Sequence, residues 1–392
     1  MHIHWIANTI VPPPISLSGG DRIMVECLRR WCTEHKITVY GNEGARQLCD
    51  YYEVRDLQHV TWPADRWKKY GRAVWWAIQY FQANRRVRDL QLAPNEKHLI
   101  IATSEFQPNG IPALRLKRRY PQVPLVVTFY FFAPKWFSGE PGPGLIFTAY
   151  RPFQMYMLRR IMTEAEVILT TVEPDRELLL AQGRRPESVF AVLGGVDLSI
   201  PRSVPEPPEK TFDAVFISRL HPQKGPMELL DVWKLLLARK SDARLAMIGS
   251  GPLEAQLKAK AKQLGLTQHV EFFGFLDGVD KYKVIKASKV VVYPAVYEVG
   301  GMASAEALAC GLPGVSFDLP ALRRYYPRGW LKAPPGDFAG LADCIYRLLT
   351  DEQLYKQTSA EALAAGLEWD WNARAKAVWD AIERGITRRP PG

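Results

Sequence analysis

The chain has 392 residues, of which 47% are hydrophobic and 23% charged. This is the composition of a globular protein that is too long for one typical core, so two domains are expected and a largely disordered chain is excluded. The formal net charge of +10 favours anionic partners, namely nucleotide phosphates, an anionic membrane surface or nucleic acid.

The five cysteines include no CxxC pair, which argues against a disulfide framework or a cysteine zinc site. The first residues lack the basic start and long apolar core of a signal peptide. No uncharged apolar run reaches roughly 18 residues, the length that a membrane-spanning helix needs. We therefore expect a cytoplasmic protein, either free or peripheral at the inner face of the membrane.

The first elements form a βαβ opening. A strand at 3–7 is followed by a loop, then by Gly19 and Gly20, a helix at 22–33 and a second strand at 37–40. Glycines at the first turn of a doubly wound sheet often bind a phosphate. A GxGxxG fingerprint is absent, so a dinucleotide site is not indicated, and the glycine pair alone is also compatible with a simple tight turn.

Two zones of the first half combine aromatic side chains with arginine and lysine, at 62–92 and 129–160. Tryptophan and tyrosine favour the boundary between apolar and aqueous phases, and basic side chains favour anionic head groups. One interpretation places these zones on the acceptor side, near a membrane. The other is a core-facing aromatic stripe with a solvated basic face.

Further apolar runs predict strands, and a proline-rich stretch at 201–208 predicts a connector between domains at residue 204. The strand candidates are 99–103, 123–129, 167–171, 189–193, 212–217, 245–248, 270–273 and 290–293.

The loop after the strand at 212–217 carries Arg219 and Lys224. A planar guanidinium and a compact ammonium at a βα turn can both hold a diphosphate and stabilise the charge that develops as it leaves. The alternative is that both side chains are solvated. Gly249 and Phe275 follow the next two strands and are further candidates for the nucleotide site.

The most informative stretch is 287–312. Its strand ends at Pro294, Glu298 follows in a loop, and Gly300 and Gly301 open a helix predicted from Met302 to residue 310. The helix start suits a phosphate, and Glu306 leans back toward it. Two carboxylates beside one anion pocket suggest sugar hydroxyls as their partners, and hence a sugar nucleotide. Each glutamate alone could be an ordinary surface acid.

This stretch resembles the Glu-x7-Glu signature of retaining GT-B glycosyltransferases, family 4 (glycosyl transferases group 1). The matching positions are Glu298, Gly301, Glu306, Ala307, Ala309, Gly311 and Pro313. Gly300 replaces the usual aromatic residue. The loop at 218–225 is similar to the family's G-R-L-x-x-x-K-G, with Ser218 for the first glycine, and 194–197 is similar to its N-G-V-D, with Gly194 for the asparagine.

The resemblance implies an α/β GT-B fold, two doubly wound Rossmann-like domains facing a central cleft. Residues 1–204 would bind the acceptor and residues 205–368 the nucleotide sugar. Residues 369–392 would form a crossover helix that packs back on the first domain, although they could also be simply a last amphipathic helix. Gly19 and Gly20 would face the donor phosphates and the acceptor.

The resemblance also implies retaining transfer of a sugar from a nucleoside-diphosphate sugar to an acceptor hydroxyl on a lipid-linked or other membrane-associated glycan. The diphosphate would be held by Arg219, Lys224, Gly300, Gly301 and Met302, the ribose by Glu306, the donor sugar by Glu298, and the base near Gly249 and Phe275. The leaving phosphate would take the acceptor proton. No D-x-D motif is present, so neither a metal nor a cofactor besides the donor is expected.

One position departs from the family. A histidine often follows the strand at 123–129, where this chain has Tyr130. The two alternatives are that Tyr130 takes over on the acceptor side and that activity is altered. The rival interpretations are a GT-B enzyme with a soluble acceptor, a nucleotide-binding scaffold without turnover, and a nucleic-acid-binding protein. No nucleic-acid module is recognised, so nucleic acid is not expected as a partner.

Overall fold

The structure is a computed structural model that describes residues 1–11, 19–133, 145–298 and 302–387, with the backbone alone at 145–149, 302 and 303. Within these residues the chain divides into two compact units. The first comprises residues 1–194 and the segment from 372 onward, and the second comprises 195–371. The proline-rich stretch predicted a domain limit at 204 and the resemblance predicted one at 368, and the ligand of each domain stays a prediction.

The first unit is built on a seven-stranded parallel sheet of described residues, in the order β3-β2-β1-β4-β5-β6-β7. The strands are β1 (His2–Ala7), β2 (Lys36–Asn42), β3 (Leu57–Trp62), β4 (His98–Ala102), β5 (Leu125–Phe129), β6 (Val167–Thr170) and β7 (Val189–Ala191). The central strands are apolar on both faces because helices cover both sides of a doubly wound sheet.

Helices connect these strands in the right order for βαβ units. They are α1 (Gly19–Trp31), α2 (Glu43–Tyr51), α3 (Arg72–Asp89), α4 (Gln107–Arg119), α5 (Leu145–Glu164) and α6 (Glu173–Ala181). The core lies between sheet and helices, where Trp62, Trp75 and Met157 are buried among aliphatic side chains of the central strands.

The second unit has a six-stranded parallel sheet of described residues, in the order β10-β9-β8-β11-β12-β13. The strands are β8 (Phe212–Ile217), β9 (Leu245–Ile248), β10 (Val270–Gly274), β11 (Ser288–Tyr293), β12 (Gly314–Phe317) and β13 (Trp330–Ala333). Trp233 and Phe216 lie at the centre of its core. The doubly wound α/β sheets predicted from the sequence are confirmed in both units.

The helices from residue 195 onward cover this sheet and then return to the first unit. They are α7 (Ser199–Ser203), α8 (Pro226–Leu237), α9 (Glu254–Gln263), α10 (Gly278–Lys286), α11 (Met302–Leu308), α12 (Pro320–Tyr325), α13 (Phe338–Thr350), α14 (Glu352–Leu367) and α15 (Trp371–Thr387). From residue 372 onward α15 belongs to the first unit, where Ala375 accepts a hydrogen bond from the Trp31 indole.

Two helix ends show how local sequence fixes structure. Gly311 has a positive φ of 73°, and its N–H donates to Leu308 while the N–H of Leu312 donates to Ala307. This is the glycine-terminated Schellman motif, and it confirms the predicted end of the helix. The predicted start of α1 was wrong, since this helix begins at Gly19 rather than at residue 22.

Gly20 in the first turn of α1 has a packing role. A Cβ on Gly20 would lie 2.1 Å from Cζ of Tyr130, so the helix can run close to that ring only because this residue has no side chain. The glycine pair therefore forms the first turn of the helix.

Two further expectations concern cysteine and the membrane. All five cysteines are free. Among the described helices, none combines the length and the apolar character that crossing a bilayer requires.

Candidate functional site

The second sheet changes direction between β8 and β11. From β8 the chain order proceeds to β9 and β10 on one side, while β11, β12 and β13 follow on the other. At such a switch point the loops after the two central strands diverge and leave a crevice at the carboxyl edge, where ligands of doubly wound sheets bind. The loops concerned are 218–225 and 294–298, which contain Arg219, Lys224 and Glu298.

These two loops touch through their backbones. Gly225 has a φ of 67°, and a Cβ there would lie 1.9 Å from the carbonyl oxygen of Pro294. The N–H groups of Val296 and Tyr297 donate to the carbonyl of Gln223 at 3.1 and 3.3 Å. The close approach fixes the distance between the Lys224 and Glu298 backbones.

The neighbouring loops are fixed in the same way. Gly249, at the end of β9, has a φ of 142°, and a Cβ there would lie 1.8 Å from the carbonyl oxygen of Ser218. Its N–H donates to Gly274 at 2.7 Å. The structure thus places Gly249 between the loops after β8 and β10, and exposed Phe275 directly follows its bonding partner.

Lys224 and Glu298 form an ion pair at this edge. The Lys224 ammonium lies 2.5 Å from Glu298 Oε2 and 2.9 Å from the Tyr293 hydroxyl, which itself donates to the same carboxylate oxygen. The exposed fractions of the two charged side chains are 15% and 5%. Burial, and then the charge of Glu298, raise the pKa of Tyr293 far above its usual range, so its phenol remains a donor.

Glu306 has a separate lysine partner. Its Oε1 lies 2.8 Å from the ammonium of Lys281 on α10, which also bonds Asp277 at 2.9 Å. The two predicted glutamates are therefore each held by a different cation. Because a lysine ammonium has only three donors, these contacts restrict the orientations of both carboxylates.

Arg219 is exposed, and its carbonyl oxygen accepts a hydrogen bond from the His221 N–H at 2.8 Å. His221 lies between it and Lys224 in the loop. Burial, and then the positive charges of Arg219 and Lys224, lower the pKa of His221, so the ring is neutral at pH 7. The loop thus presents two permanent cations beside a neutral imidazole.

Three of the predicted donor-site positions are not described in full by the structure. Gly300 and Gly301 lie outside the described residues. Met302 is the first residue of α11, and only its backbone is described. The predicted phosphate contact at this point stays a prediction.

The first sheet has its own switch point, between β1 and β4. Gly19 and Gly20 follow β1, Glu105 follows β4, and Tyr130 follows β5. Tyr130 packs directly on Gly20, and its hydroxyl is buried without a hydrogen-bond partner among the described residues. Burial, and then the charges of Asp21 and Glu105, raise the pKa of this phenol well above its usual range.

Glu105 is completely buried at this edge. Its carboxylate accepts from the Tyr130 N–H at 3.1 Å and from the Gln154 amide at 2.9 Å. Burial raises its pKa to about 7, against the lowering effect of these bonds, and it raises the pKa of neighbouring Asp175 to about 7 as well. Two carboxyl groups that titrate near neutral pH are a common mark of a functional site.

Comparison with known proteins identifies one part of the chain. Residues 200–364 match the family model described as Glycosyl transferases group 1. The matched residues make up most of one domain, the second unit. This domain contains both ion pairs of the switch-point edge, Lys224–Glu298 and Lys281–Glu306.

Curated relatives include the phosphatidyl-myo-inositol mannosyltransferase of Mycobacterium leprae, 32% identical over 177 residues that cover 44% of this chain and 46% of that protein. The D-inositol 3-phosphate glycosyltransferase 2 of Catenulispora acidiphila is 30% identical over 247 residues, which cover 56% of each protein. The chain thus spans about half the length of these curated relatives.

Among solved structures, Anabaena Alr3699/HepE in complex with UDP-glucose has a TM-score of 0.71 and 15% sequence identity, covering 98% of this chain and 99% of that one. At this identity the likeness shows the fold alone. The two units have the GT-B fold that the sequence predicted.

Sequence analysis missed three residues with direct roles in these contacts. Tyr293 is the last residue of β11, and Lys281 lies on α10, so neither belongs to the motif that contains Glu298 and Glu306. Glu105 is the first acid after β4. Its position after a strand next to the switch point was a usable signal, because such positions meet at one edge of the sheet.

The first aromatic and basic zone, at 62–92, contains both buried and exposed side chains. Trp62 and Trp75 are buried in the core, whereas Phe81 is 66% exposed and the arginines beside it at 85, 86 and 88 are also exposed. In the second zone Phe153 is 62% exposed and Tyr156 is also exposed, while residues 134–144 lie outside the described part. The tryptophans are buried because they belong to the core. The other aromatic and basic side chains named here are exposed.

Proposed function

We propose that this protein is a retaining glycosyltransferase of family 4, which transfers a sugar from a nucleoside-diphosphate sugar to an acceptor hydroxyl. The observation that carries the proposal is the Lys224–Glu298 pair, which joins the two loops of the switch point inside the residues that match the glycosyl transferase family. A cation for phosphate and an anion for sugar hydroxyls stand there side by side.

Lys224 is assigned to the diphosphate. Two of its three donors bond Glu298 and Tyr293, and the third can bond a phosphate oxygen. Exposed Arg219 supplies a second cation from the same loop. A guanidinium fork and an ammonium bind the two phosphates and stabilise the negative charge on the leaving diphosphate.

The two glutamates are assigned to hydroxyl groups. Glu298, fixed by two donors, accepts hydrogen bonds from the donor sugar and stabilises positive charge at its anomeric carbon. Glu306, held by Lys281, accepts from the ribose. A carboxylate that already has a cation partner tolerates a nearby phosphate better than a free one, because much of its charge is compensated.

Transfer with retention proceeds on the face of the leaving group. The bond between the anomeric carbon and the diphosphate breaks, the acceptor oxygen bonds the same carbon, and the acceptor proton passes to the leaving phosphate. Arg219 and Lys224 supply the charge that balances the diphosphate, so we expect turnover without a metal ion or cofactor. Activity that persists in excess chelator would support this assignment.

The donor test uses calorimetry with UDP, GDP and ADP, followed by hydrolysis assays with the matching sugar nucleotides. We expect one nucleotide to bind in the micromolar range and its sugar conjugate to be hydrolysed slowly. The anomeric proton coupling of a transfer product then reports retention or inversion. Failure to bind any of the nucleoside diphosphates would overturn the proposal.

We propose a lipid-linked acceptor, with the protein peripheral on the cytoplasmic membrane surface. Supporting observations are the exposed Phe81 and Phe153, the exposed arginines of α3, and the net charge of +10. One relative is named for phosphatidyl-myo-inositol, which is a lipid, and another for inositol 3-phosphate, which is soluble. The names of the relatives therefore support both kinds of acceptor.

The acceptor test compares phosphatidylinositol in vesicles with soluble inositol phosphate at equal concentration. We expect transfer to the lipid and flotation with anionic vesicles at low salt. The variant Phe81→Ser should weaken flotation, whereas Tyr51→Ser, which alters an exposed aromatic on α2, should not. Transfer to the soluble acceptor alone, without flotation, would contradict the lipid assignment.

A further inference from the structure

Three histidines meet at the amino end of the first sheet, opposite the edge that contains Gly20 and Glu105. His2 and His4 are two residues apart on β1 and therefore point to one face. His98 is the first residue of β4 and pairs in register with His2. The ring centroids of His2 and His4 are 4.2 Å apart, and those of His4 and His98 are 5.2 Å apart.

Hydrogen bonds determine the proton positions on two of the rings. His98 Nε2 lies 2.7 Å from the carbonyl oxygen of Ala93 and must donate to it. Its Nδ1 lies 3.0 Å from His4 Nε2. His4 Nδ1 then accepts from the Tyr40 hydroxyl at 3.1 Å. The neutral imidazole is the form that binds metal ions.

The charge states agree with this arrangement. Burial, followed by the neighbouring histidines, lowers the pKa of His4 to about 3, and burial also lowers the pKa of His2. A buried site of low polarity disfavours a proton on an imidazole. A metal ion binds in such a site only if its bonds to the ligands compensate for its desolvation.

The spacing fits a tetrahedral metal ion. One ring nitrogen from each histidine lies within 4.8 Å of the others. Two nitrogen ligands at about 2.0–2.1 Å from zinc are about 3.3 Å apart in tetrahedral geometry. The His4–His98 nitrogen separation of 3.0 Å is close to this value. His4 needs only to move its proton to Nδ1, where the Tyr40 oxygen can accept it.

Each ring also has an outer partner of the kind that orients metal-bound histidines. Ala93 holds His98 and Tyr40 holds His4, while His2 Nε2 lies 2.8 Å from the Thr38 hydroxyl. The nearest anion is Glu96, whose Oε2 lies 3.4 Å from His2 Nδ1. Its side chain is 42% exposed, and its other oxygen lies 3.8 Å from the Lys36 ammonium, an ion pair that a bound metal ion would replace.

We propose that His2, His4 and His98, with Glu96 as the fourth ligand, bind a zinc ion that fastens β1 to β4. Nitrogen and carboxylate ligands suit zinc among the common divalent ions. Because the cluster is at the amino ends of the strands, the ion stabilises the first unit and takes no part in sugar transfer. The proposal does not depend on the proposed function.

The test begins with full-length protein that has been treated with chelator and dialysed. Titration with Zn²⁺ in a calorimeter should show one high-affinity site, and the melting temperature should rise on saturation. Co²⁺ should give the visible absorption bands of a tetrahedral complex, which Zn²⁺ then displaces. Absence of a stoichiometric site in the wild-type protein would overturn the proposal and leave the cluster a hydrogen-bonded network.

Variants locate the site. His98→Gln should lower the Zn²⁺ affinity by ~100-fold or more, and Glu96→Gln by about 10-fold. His59→Gln, which changes a histidine of β3 outside the cluster, should bind as the wild type does. Since Glu96 is largely exposed, its variant remains informative if a histidine variant fails to fold. Equal binding by Glu96→Gln and His98→Gln compared with wild type would place any bound zinc elsewhere.

Discussion

Lys224 and Glu298 are 74 residues apart in the chain, yet the ammonium of one lies 2.5 Å from the carboxylate of the other. The contact exists because β8 and β11 are neighbours in the sheet and their loops touch at Gly225 and Pro294. Since both charges are largely buried, each compensates for the desolvation of the other. Substitution of either one therefore leaves the other charge without its partner.

Replacement of Lys224 by methionine should weaken binding of the preferred nucleoside diphosphate about 10- to 100-fold, the range for one charge-assisted hydrogen bond. It should also destabilise the fold by about 3 kcal/mol, because Glu298 loses its cation. Calorimetry and urea unfolding measure the two effects.

The double variant Lys224→Met with Glu298→Gln separates the two effects, since it removes the uncompensated charge and should recover stability without recovering affinity. Lys262→Met, on the exposed face of α9, is the matched control and should change neither quantity. Unaltered nucleotide affinity in Lys224→Met would refute the phosphate role.

Glu298→Gln should separate binding from turnover. The neutral amide no longer competes with phosphate for Lys224, so the nucleoside diphosphate should bind as tightly as before or a few-fold more tightly. Turnover should fall by about 100-fold, because the carboxylate that stabilises the developing positive charge is lost. The measurements are the dissociation constant and the rate of sugar-nucleotide hydrolysis.

Tyr293→Phe is a useful companion, since it removes one donor to Glu298 and leaves the Lys224 ion pair. Its turnover should lie between those of the wild type and Glu298→Gln. A Glu298→Gln protein with wild-type turnover would show that this carboxylate has no catalytic part.

Glu105 should make stability fall as pH rises. Burial raises its pKa in the folded protein from 4.5 to about 7, so the folded state holds a proton that the unfolded state releases. Its contribution is fully present below about pH 4.5 and is lost as pH rises through about 7. Glu105→Gln resembles the protonated carboxyl, and its stability advantage over wild type should grow to at most about 3 kcal/mol at pH 8.

Urea unfolding between pH 5 and pH 8 measures this difference. Glu34→Gln, which changes an exposed acid of the same unit, should track the wild type at every pH. A constant difference between Glu105→Gln and wild type would mean that Glu105 remains ionised throughout.

Two glycines provide a matched test of the loop contact. Gly225 and Gly265 have nearly the same positive φ, 67° and 73°, but only Gly225 has a backbone atom where a Cβ would be. Gly265→Ala should cost about 1 kcal/mol through backbone strain alone. Gly225→Ala should cost at least about 2 kcal/mol more, because the loop must move away from Pro294, and nucleotide affinity should fall with it. Equal losses in the two variants would show that the loops adapt freely.

Many helices and strands of this fold were predicted from the sequence. The unbroken apolar run at 290–293, followed by a proline, predicted β11, and Gly311 predicted the end of α11. Such features depend on backbone conformations and burial patterns that a few residues specify by themselves. The start of α1 was placed too late because a glycine pair locally favours a turn, and the close approach of Gly20 to Tyr130 involves a residue far along the chain.

The sequence by itself determined the two doubly wound sheets, the glycosyl transferase motif and the residue types available at the carboxyl edge, because periodicity, turn residues and motif spacing are local. Only the tertiary structure decided which side chains meet. It paired Lys224 with Glu298 and Lys281 with Glu306, buried Glu105 under Tyr130, and gathered His2, His4 and His98 at the opposite edge. These contacts depend on strand order, which a linear pattern does not encode.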